Sequence, residues 1–375
     1  MPSGKGVGLP VGISRAPLWR RFARSPSASG SPVVLRLARG TVLLAGAGVL
    51  LVVTAAALGS YAIPLAETAT ILLDLVGLGA GGAAGDTERA IVATIRLPRI
   101  VLALLVGAAL GTAGAVMQGL FRNPMADPGI IGVSTGGALG AVIAIAVGAQ
   151  AAFPLALPAM AFAGAAGALA LVFAVASVGG RFSMAALLLA GVAVSLFLAA
   201  IISAIVLFTQ DLGAQREMIF WLAGGLDASR WTHVRLAAPF MLAGLAAAVL
   251  LARDLNLLTL SEEEARALGV RVGITRTVLL LAASLVTGTA VAFSGTIAFV
   301  GLIVPHALRL LAGADHRVLV PLSALGGALF LLAADTLARL VIAPAEMRVG
   351  IITSLVGAPF FILLLARHKA RAGAM

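Results

Sequence analysis

The stretch between Arg99 and Arg122 sets the strongest limit on what this chain can fold into, because none of its 22 residues carries a charge. As an α-helix it would be roughly 33 Å long, enough to cross the ~30 Å hydrocarbon core of a bilayer. Hydrophobic residues make up 61% of the chain and charged residues 11%, whereas soluble domains carry about 25% charged residues. The sequence therefore predicts an all-α polytopic membrane protein.

Ten apolar segments are candidate membrane spans inside a predicted transmembrane domain of residues 41–368, and the eighth of them is short enough to be a tilted or partial span. Residues 1–40, rich in Gly, Pro, Ser and Arg, are expected to form a disordered cytoplasmic arm, and residues 369–375 a short cytoplasmic tail. The first run could also be a signal-peptide core, although the arm before it is long for one. The spans are predicted at 41–59, 98–120, 133–149, 156–178, 184–208, 233–252, 275–294, 298–312, 319–340 and 349–366.

Basic residues predict the orientation of these spans, because Lys and Arg accumulate in cytoplasmic loops. With the amino terminus inside, 18 of the 26 Lys and Arg residues fall on the inner side and 8 on the outer side. This bias predicts an inner (plasma) membrane protein with both termini in the cytoplasm. The net charge of +11 is thus spread over loops as topology requires, which argues against nucleic acid as a partner.

The two halves of the chain resemble each other. A shift of 177 residues places Arg99 on Arg276 and Pro128 on Pro305, and it aligns a Gly-Thr-Ala triplet in each half. The matched segments are the second and seventh spans, so an odd separation would orient them in opposite directions. This pattern predicts an inverted repeat, a common construction in transporters. Chance matching among Gly, Ala and Leu is the alternative.

Four strings of this sequence resemble the permease subunits of bacterial type II ABC importers, the FecCD-type family that takes up iron siderophores, haem and cobalamin. They lie at 96–138 (beginning RLPR and containing FRNPMADPGIIGVSTGGA), 261–270 (SEEEARALGV), 295–317 and 333–367. The resemblance implies a homodimer in membrane lipid that works with two cytoplasmic ABC ATPase subunits and a periplasmic substrate-binding protein. It also implies that ATP and magnesium bind the ATPase partner and that this chain binds no cofactor or metal.

A short cytoplasmic helix is predicted in the longest inner loop. Ser261 can cap it and Glu264 completes a capping box, while the acidic first turn suits the positive end of the helix dipole. A solvated connector is the alternative, whereas the resemblance implies that the helix fits a cleft on the ATPase subunit. The residues assigned to this docking helix and its small apolar face are Ser261, Glu262, Glu263, Glu264, Ala265, Ala267, Leu268 and Gly269.

Three arginines lie on the predicted outer side, where topology disfavours them. The resemblance implies that Arg96, Arg99 and Arg339 dock carboxylates of the binding protein, and arginine suits such bidentate pairing. Snorkelling towards lipid phosphates is the alternative. Asp335 stands four residues before Arg339 and is expected to form a structural ion pair with it.

Gates are implied by the resemblance rather than by any spacing. It places a cytoplasmic gate at Asn123 and Met125, with Ser183 as a further member, and an outer gate on the fifth span at Ser195 and Ser203. No catalytic residue is predicted, because the chain has no GxxxxGK[ST] phosphate loop and its four histidines lack a metal-binding spacing. The subunit is therefore expected to be part of an ATP-driven translocase without being an enzyme itself.

The ligand is the least constrained property. The general sequence character of residues 215–235 and of the SEEEARALGV loop favours haem. Ferric siderophores and cobalamin are the alternatives within the family. A secondary carrier that works alone is the rival of another class, and the inverted repeat allows it. Such carriers usually need buried carboxylates, which are scarce in these spans. A structural membrane scaffold would need neither the docking helix nor the arginines.

Overall fold

The computed structural model describes residues 31–79, 85–178 and 183–372, and within these ranges the chain is α-helical without any strand. The predicted arm up to residue 30 and the last three residues of the tail lie outside this description. The α-helices are α1 Ser31–Ala57, α2 Leu65–Leu75, α3 Asp86–Ala90, α4 Leu97–Leu120, α5 Val133–Ala146, α6 Ala149–Ala152, α7 Ala156–Ala176, α8 Met184–Phe208, α9 Leu212–Leu222, α10 Trp231–Leu250, α11 Ala252–Leu258, α12 Glu262–Ala267, α13 Val272–Ser294, α14 Val300–Ala312, α15 His316–Leu340 and α16 Val349–Ala372. A π-helical turn covers Ile91–Arg96 and a 3₁₀ helix covers Pro128–Ile131.

Every predicted span coincides with a helix, which confirms the all-α fold. Among the described residues, seven helices are long and apolar enough to cross a membrane, namely Val33–Ala57, Asp86–Leu120, Ala156–Ala176, Met184–Phe208, Trp231–Leu250, Val272–Ser294 and His316–Leu340. The other three candidates are the shorter apolar helices Val133–Ala146, Val300–Ala312 and Val349–Leu363. Three boundaries differ by more than a few residues from the prediction: α1 begins at Ser31 inside the expected arm, the second span is a 35-residue helix from Asp86, and α16 continues to Ala372 inside the expected tail.

Helix α4 forms the centre of the bundle and packs against α10, α13, α14 and α15. Its small residues allow the close approach that the sequence suggested. A Cβ atom on Gly107 would collide with the carbonyl oxygen of Gly327 in α15, and one on Gly114 would collide with that of Gly301 in α14. Backbone contact of this kind gives van der Waals packing where lipid offers no hydrophobic driving force between helices.

The chain after α4 turns back into the bundle. Gly301 lies against two groups at once, the carbonyl oxygen of Leu110 and the ring of Pro128, each 2.9 Å from the point that a Cβ atom on Gly301 would occupy. Leu110 is near the middle of α4, so Pro128 lies at about half the depth of the bundle. Residues 121–132 therefore form a re-entrant segment, and α5 is short because part of the crossing has already been made.

The second half of the chain repeats this order of elements. The long buried helix α13 is followed by a break at Gly295 and by the short helix α14, as α4 is followed by the re-entrant segment and α5. This succession agrees with the predicted repeat. One matched pair is not equivalent, because Pro128 opens a 3₁₀ helix whereas Pro305 lies inside α14.

Candidate functional site

The three arginines of the predicted docking surface converge at one end of the bundle, here called the arginine end. Arg99 of α4 forms a bidentate ion pair with Asp335 of α15, with Nη2–Oδ1 at 2.9 Å and Nε–Oδ2 at 3.0 Å. Its Nη1 also donates to Glu346 at 2.7 Å. The expected pair between Asp335 and Arg339 is present, at 3.4 Å between Oδ2 and Nε, but the closer partner of Asp335 is Arg99.

Arg96 and Arg339 fasten the end of α1 to the bundle. The guanidinium of Arg96 donates to the carbonyls of Ala56, Ala57 and Tyr61, and that of Arg339 donates to those of Ala55 and Leu58 at 3.0 Å each. These carbonyls lie at or just beyond the last turn of α1, where a helix lacks internal donors. Arg96 is 7% exposed and Arg339 is 6% exposed. Both side chains therefore make their hydrogen bonds within this chain. Docking of the binding protein by the three arginines stays a prediction.

The predicted docking helix is α12, at the opposite end of the bundle, here called the α12 end. The capping box is confirmed, because Ser261 Oγ accepts the N–H of Glu264 at 3.2 Å and the Glu264 carboxylate accepts the N–H of Ser261 at 3.0 Å. Gly269 follows the helix with φ +88°, a left-handed conformation that suits glycine. Residues of the local sequence thus define both ends of the helix, Ser261 and Glu264 at its start and Gly269 after its end.

The small apolar face expected on α12 is wrong as a single surface. Ala265 is fully buried and, with Val270, anchors the segment to the bundle. Ala267 is exposed and Leu268 is 59% exposed, so these two face away from the bundle. Ala265 and Ala267 are two residues apart, about 200° around a helix, so they face opposite sides, and Leu268 is the C-cap residue after the last residue of α12.

Glu262 ties α12 to the start of α13. Its carboxylate accepts from Arg276 at 2.9 Å and from Arg266 at 3.0 Å. The hydrogen bond from Arg276, together with the charge of that residue, lowers the pKa of Glu262. Ala265 is the only buried residue of α12, and Ala267 and Leu268 are its exposed apolar residues.

The predicted cytoplasmic gate residues Asn123 and Met125 lie at the α12 end, where the re-entrant segment begins. Asn123 Oδ1 accepts the N–H of Met125 at 2.9 Å, and both side chains are exposed. Ser183 is the N-cap of α8, where its hydroxyl accepts the N–H of Ala186 at 3.0 Å. These contacts shape the local turns, and the gate role of all three residues stays a prediction.

The two serines assigned to an outer gate differ in position. Ser195 is near the middle of α8, and its hydroxyl lies 3.6 Å from the point that a Cβ atom on Gly132, in the re-entrant segment, would occupy. Ser203 is two turns further along α8, exposed, with its hydroxyl bonded to the carbonyl of Ala199 at 2.9 Å. Ser195 is therefore a mid-depth residue, and the outer gate stays a prediction.

A carboxylate missed by the sequence reasoning lines a cavity of about 520 Å³ beside the re-entrant segment, here called the Asp127 cavity. Asp127 precedes the mid-depth Pro128 and accepts the N–H of Gly129 at 2.7 Å. The sequence could have indicated this residue, because an acidic residue is unusual inside an apolar string. However, an Asp before Pro is typical of a turn at the protein surface. Groups that line the cavity include Asp127, Ser134, Thr296, Ile297, Ser354 and Leu355.

A second cavity, of about 840 Å³, opens at the arginine end between α9, α10 and α13. Its wall contains the ring of Phe220 between two guanidinium groups, with Arg216 Cζ at 5.1 Å and Arg348 Cζ at 4.8 Å from the ring centroid. Arg348 is also paired with Asp227. Charge and aromatic surface thus alternate at this mouth of the bundle. Within the described residues no cluster of three or more His, Cys, Asp or Glu side chains is placed to hold a metal ion.

Comparisons with known proteins agree over most of the chain. A family model described as the FecCD transport family matches residues 47–367. The chain is 46% identical to the cobalamin import system permease of Halobacterium salinarum over 337 residues, which is 85% of this chain and 89% of that protein. It is 43% identical to the hemin transport system permease of Yersinia pestis, over 73% of this chain and 83% of that protein.

A ferric enterobactin transport permease of Escherichia coli is 42% identical, with 78% of this chain and 86% of that protein covered. Among solved structures, an ABC transporter described as of the metal-chelate type in an inward-facing conformation superposes with a TM-score of 0.75. That superposition covers 88% of this chain and 98% of the other, at 34% sequence identity. Sequence and fold therefore agree with the resemblance seen in the four sequence strings.

Proposed function

The chain belongs to the FecCD transport family, whose members are permease subunits of ABC importers, and we propose that it imports a bulky metal chelate, haem or corrinoid. In this family the ATPase resides on separate subunits, so the chain is not itself an enzyme. Its apolar helices make it a multi-pass protein of the inner membrane. The proposed complex contains two copies of this chain, two ATPase subunits that bind ATP and magnesium, and a periplasmic binding protein.

The observation that carries the proposal is α12. A short helix that is capped at both ends and exposes Leu268 at one end of the bundle suits docking of another protein. The capping box holds the helix, Glu262 ties it to Arg276, and Leu268 remains exposed as a contact for another protein. We infer that this end is cytoplasmic and docks the ATPase, which places both termini in the cytoplasm and the arginine end at the binding protein.

The Asp127 cavity supports a pathway between two copies. Ile351 and Leu355 of α16 line it and are 43% and 63% exposed, so the cavity is open on that side. A second copy placed against α16 would close it. A bulky ligand would then meet hydroxyl groups and one carboxylate in a passage that is otherwise apolar, and such a passage suits alternating access better than tight resting binding.

The ligand is proposed as a class. The relatives named for cobalamin, hemin and ferric enterobactin transport are 46%, 43% and 42% identical, so similarity does not favour haem over the alternatives. All three ligands are large chelates, so the size of the cavity does not select one of them. The test therefore measures the transport of all three ligands: haem, a ferric siderophore and cobalamin.

The test is uptake into liposomes. The permease, its co-purifying ATPase and its binding protein are reconstituted, and uptake of cyanocobalamin, haemin and ferric enterobactin is measured with and without ATP. ATP-dependent uptake of one of them is expected, and uptake driven by a proton or sodium gradient with the permease alone would contradict the proposal. Leu268→Ser should release the ATPase while the bundle stays folded, because Leu268 is exposed. Ala265→Ser, on the buried side, is the matched variant that should loosen α12 instead.

A further inference from the structure

Arg122, the second residue after α4, has an unusual backbone conformation. Its φ is +49°, and Arg122 and Phe299 are the only non-glycine residues with positive φ in the part of the chain that the structure describes. Residues with a side chain rarely adopt this left-handed conformation, so the surrounding structure must hold it. This turn lies at the start of the re-entrant segment, one residue before the predicted gate residue Asn123.

The guanidinium of Arg122 spans the gap to the segment that carries α12. Its Nε and Nη2 donate to the carbonyl of Leu258 at 3.2 and 2.8 Å, and Nη2 also donates to the carbonyl of Leu260. Leu258 ends α11, and Leu260 is the residue before Ser261, the cap of α12. Since a guanidinium is a planar fork, contact with two carbonyls fixes its direction as well as its distance.

The segment on the far side of this contact is tied to its own surroundings. Asn256 of α11 donates to Asp315 at 2.7 Å and accepts the N–H of His316 at 2.8 Å, which links α11 to the start of α15. Glu262 links α12 to α13 through Arg276. α11 and α12 are thus held to α15 and α13, and the carbonyls of Leu258 and Leu260 add a direct connection from this segment to Arg122.

We propose that Arg122 is the positioning residue that transmits movement of α12 to the Asn123–Met125 turn, and so couples the ATPase to the gate. The proposal rests on the proposed function, because it requires a docked ATPase. Its competitor is a purely local role, in which Arg122 only caps the carbonyls at the end of α11. The two differ in what the gate does when nucleotide binds.

This chain contains no cysteine, so Met125→Cys gives it a single thiol, at an exposed position of the turn, and labelling is measured on this chain after its separation from the ATPase. The complete complex with its co-purifying ATPase is placed in lipid nanodiscs, and the rate of labelling by a polar maleimide is measured with and without ATP. Arg122→Gly is then added, since glycine adopts φ +49° without strain and the substitution removes the side chain alone. Arg122→Lys keeps the charge and loses the fork. Arg253→Ala removes another exposed cation at this end, on α11, as the matched control.

The expected result is a labelling rate that depends on ATP in the Met125→Cys parent and in Arg253→Ala. In Arg122→Gly the ratio of the two rates should fall to about one, the value for zero coupling, with the ATPase still bound and hydrolysing ATP. Arg122→Lys should give an intermediate ratio.

A parent-like ratio in Arg122→Gly would overturn the proposal and leave Arg122 as a local cap. Loss of the ATPase from that variant would also overturn it, because Arg122 would then shape the docking site rather than transmit its movement. An ATPase that binds neither the parent nor any variant would instead contradict the proposed function, so the two failures are distinguishable.

Discussion

Arg99 and Asp335, which are 236 residues apart in the chain, form a bidentate ion pair that joins α4 to α15 at the arginine end. Asp335 is fully buried and is also 3.4 Å from Arg339. One carboxylate is thus shared by two guanidinium groups of a cluster in which Arg96 is the third, and Arg99 also pairs with Glu346. The cluster holds three helices together, α1, α4 and α15, at the place where a binding protein is proposed to dock.

Removal of that carboxylate should unfold this end of the bundle. Asp335→Ala leaves Arg99 and Arg339 buried without their shared counterion, and breaking a buried pair in this way costs about 3–5 kcal/mol. Thermal unfolding in detergent measures the loss. Asp227→Ala is the matched control, because its pair with Arg348 is partly exposed and such pairs contribute about 0–1 kcal/mol. Equal melting temperatures for the two variants would contradict the structural role of Asp335.

Substitution of Arg96 should lower the stability of the fold in addition to any effect on docking of the binding protein. Arg96→Met leaves the carbonyls of Ala56, Ala57 and Tyr61 without their charged donor, and we expect a loss on the order of 3 kcal/mol. Arg216→Ala at the same end removes an exposed cation and should change stability by less than about 1 kcal/mol. A variant at Arg96 that melts like the parent yet binds the binding protein less tightly would show that Arg96 acts as a docking residue only.

The charge of Asp127 should affect transport, and the hydrogen bond that its side chain accepts at the start of the 3₁₀ helix should affect stability. Asp127→Asn can still accept the N–H of Gly129, so the fold should be retained while the KM for uptake of the transported chelate changes. Asp127→Ala loses the cap as well, at a cost of about 1 kcal/mol. Uptake kinetics and melting temperatures of the two variants separate these effects. Parent-like uptake by Asp127→Asn would leave only the capping role.

Acid should weaken the junction between α14 and α15 through Asp315. Burial alone would raise the pKa of this carboxyl, but hydrogen bonds from Arg317 and Asn256 outweigh it and lower the pKa to about 2 from 3.8. Because the folded-state pKa is the lower one, the stability it contributes is complete above about pH 4 and is lost as pH falls towards 2.

Unfolding measured between pH 5 and about pH 2 should therefore show an acid limb that Asp315→Asn flattens. Arg317→Ala removes the principal donor, so it should raise the pKa of Asp315 and move the limb to higher pH. An acid limb that is unchanged in Asp315→Asn would assign it to other carboxyl groups.

Much of this protein was determined by local sequence. Spans, caps and the small-residue surface of α4 depend on properties of neighbouring residues, namely hydropathy, the Ser261–Glu264 spacing and glycine content, so they could be predicted without knowing any distant contact. The four family strings extended that prediction to a permease class. The ligand was beyond its reach, because relatives with different ligands resemble the chain almost equally.

Only the tertiary structure decided the pairing and the depth of polar groups. The sequence placed Asp335 beside Arg339 by helical spacing, whereas packing of α4 on α15 brought Arg99 closer. Asp127 had the sequence pattern of a surface turn residue, and contact of Gly301 with both Leu110 and Pro128 put it at mid-depth. The physical reason is the same in both cases: a side chain's partners depend on where separate helices meet, and the sequence pattern of one helix does not encode the position of another.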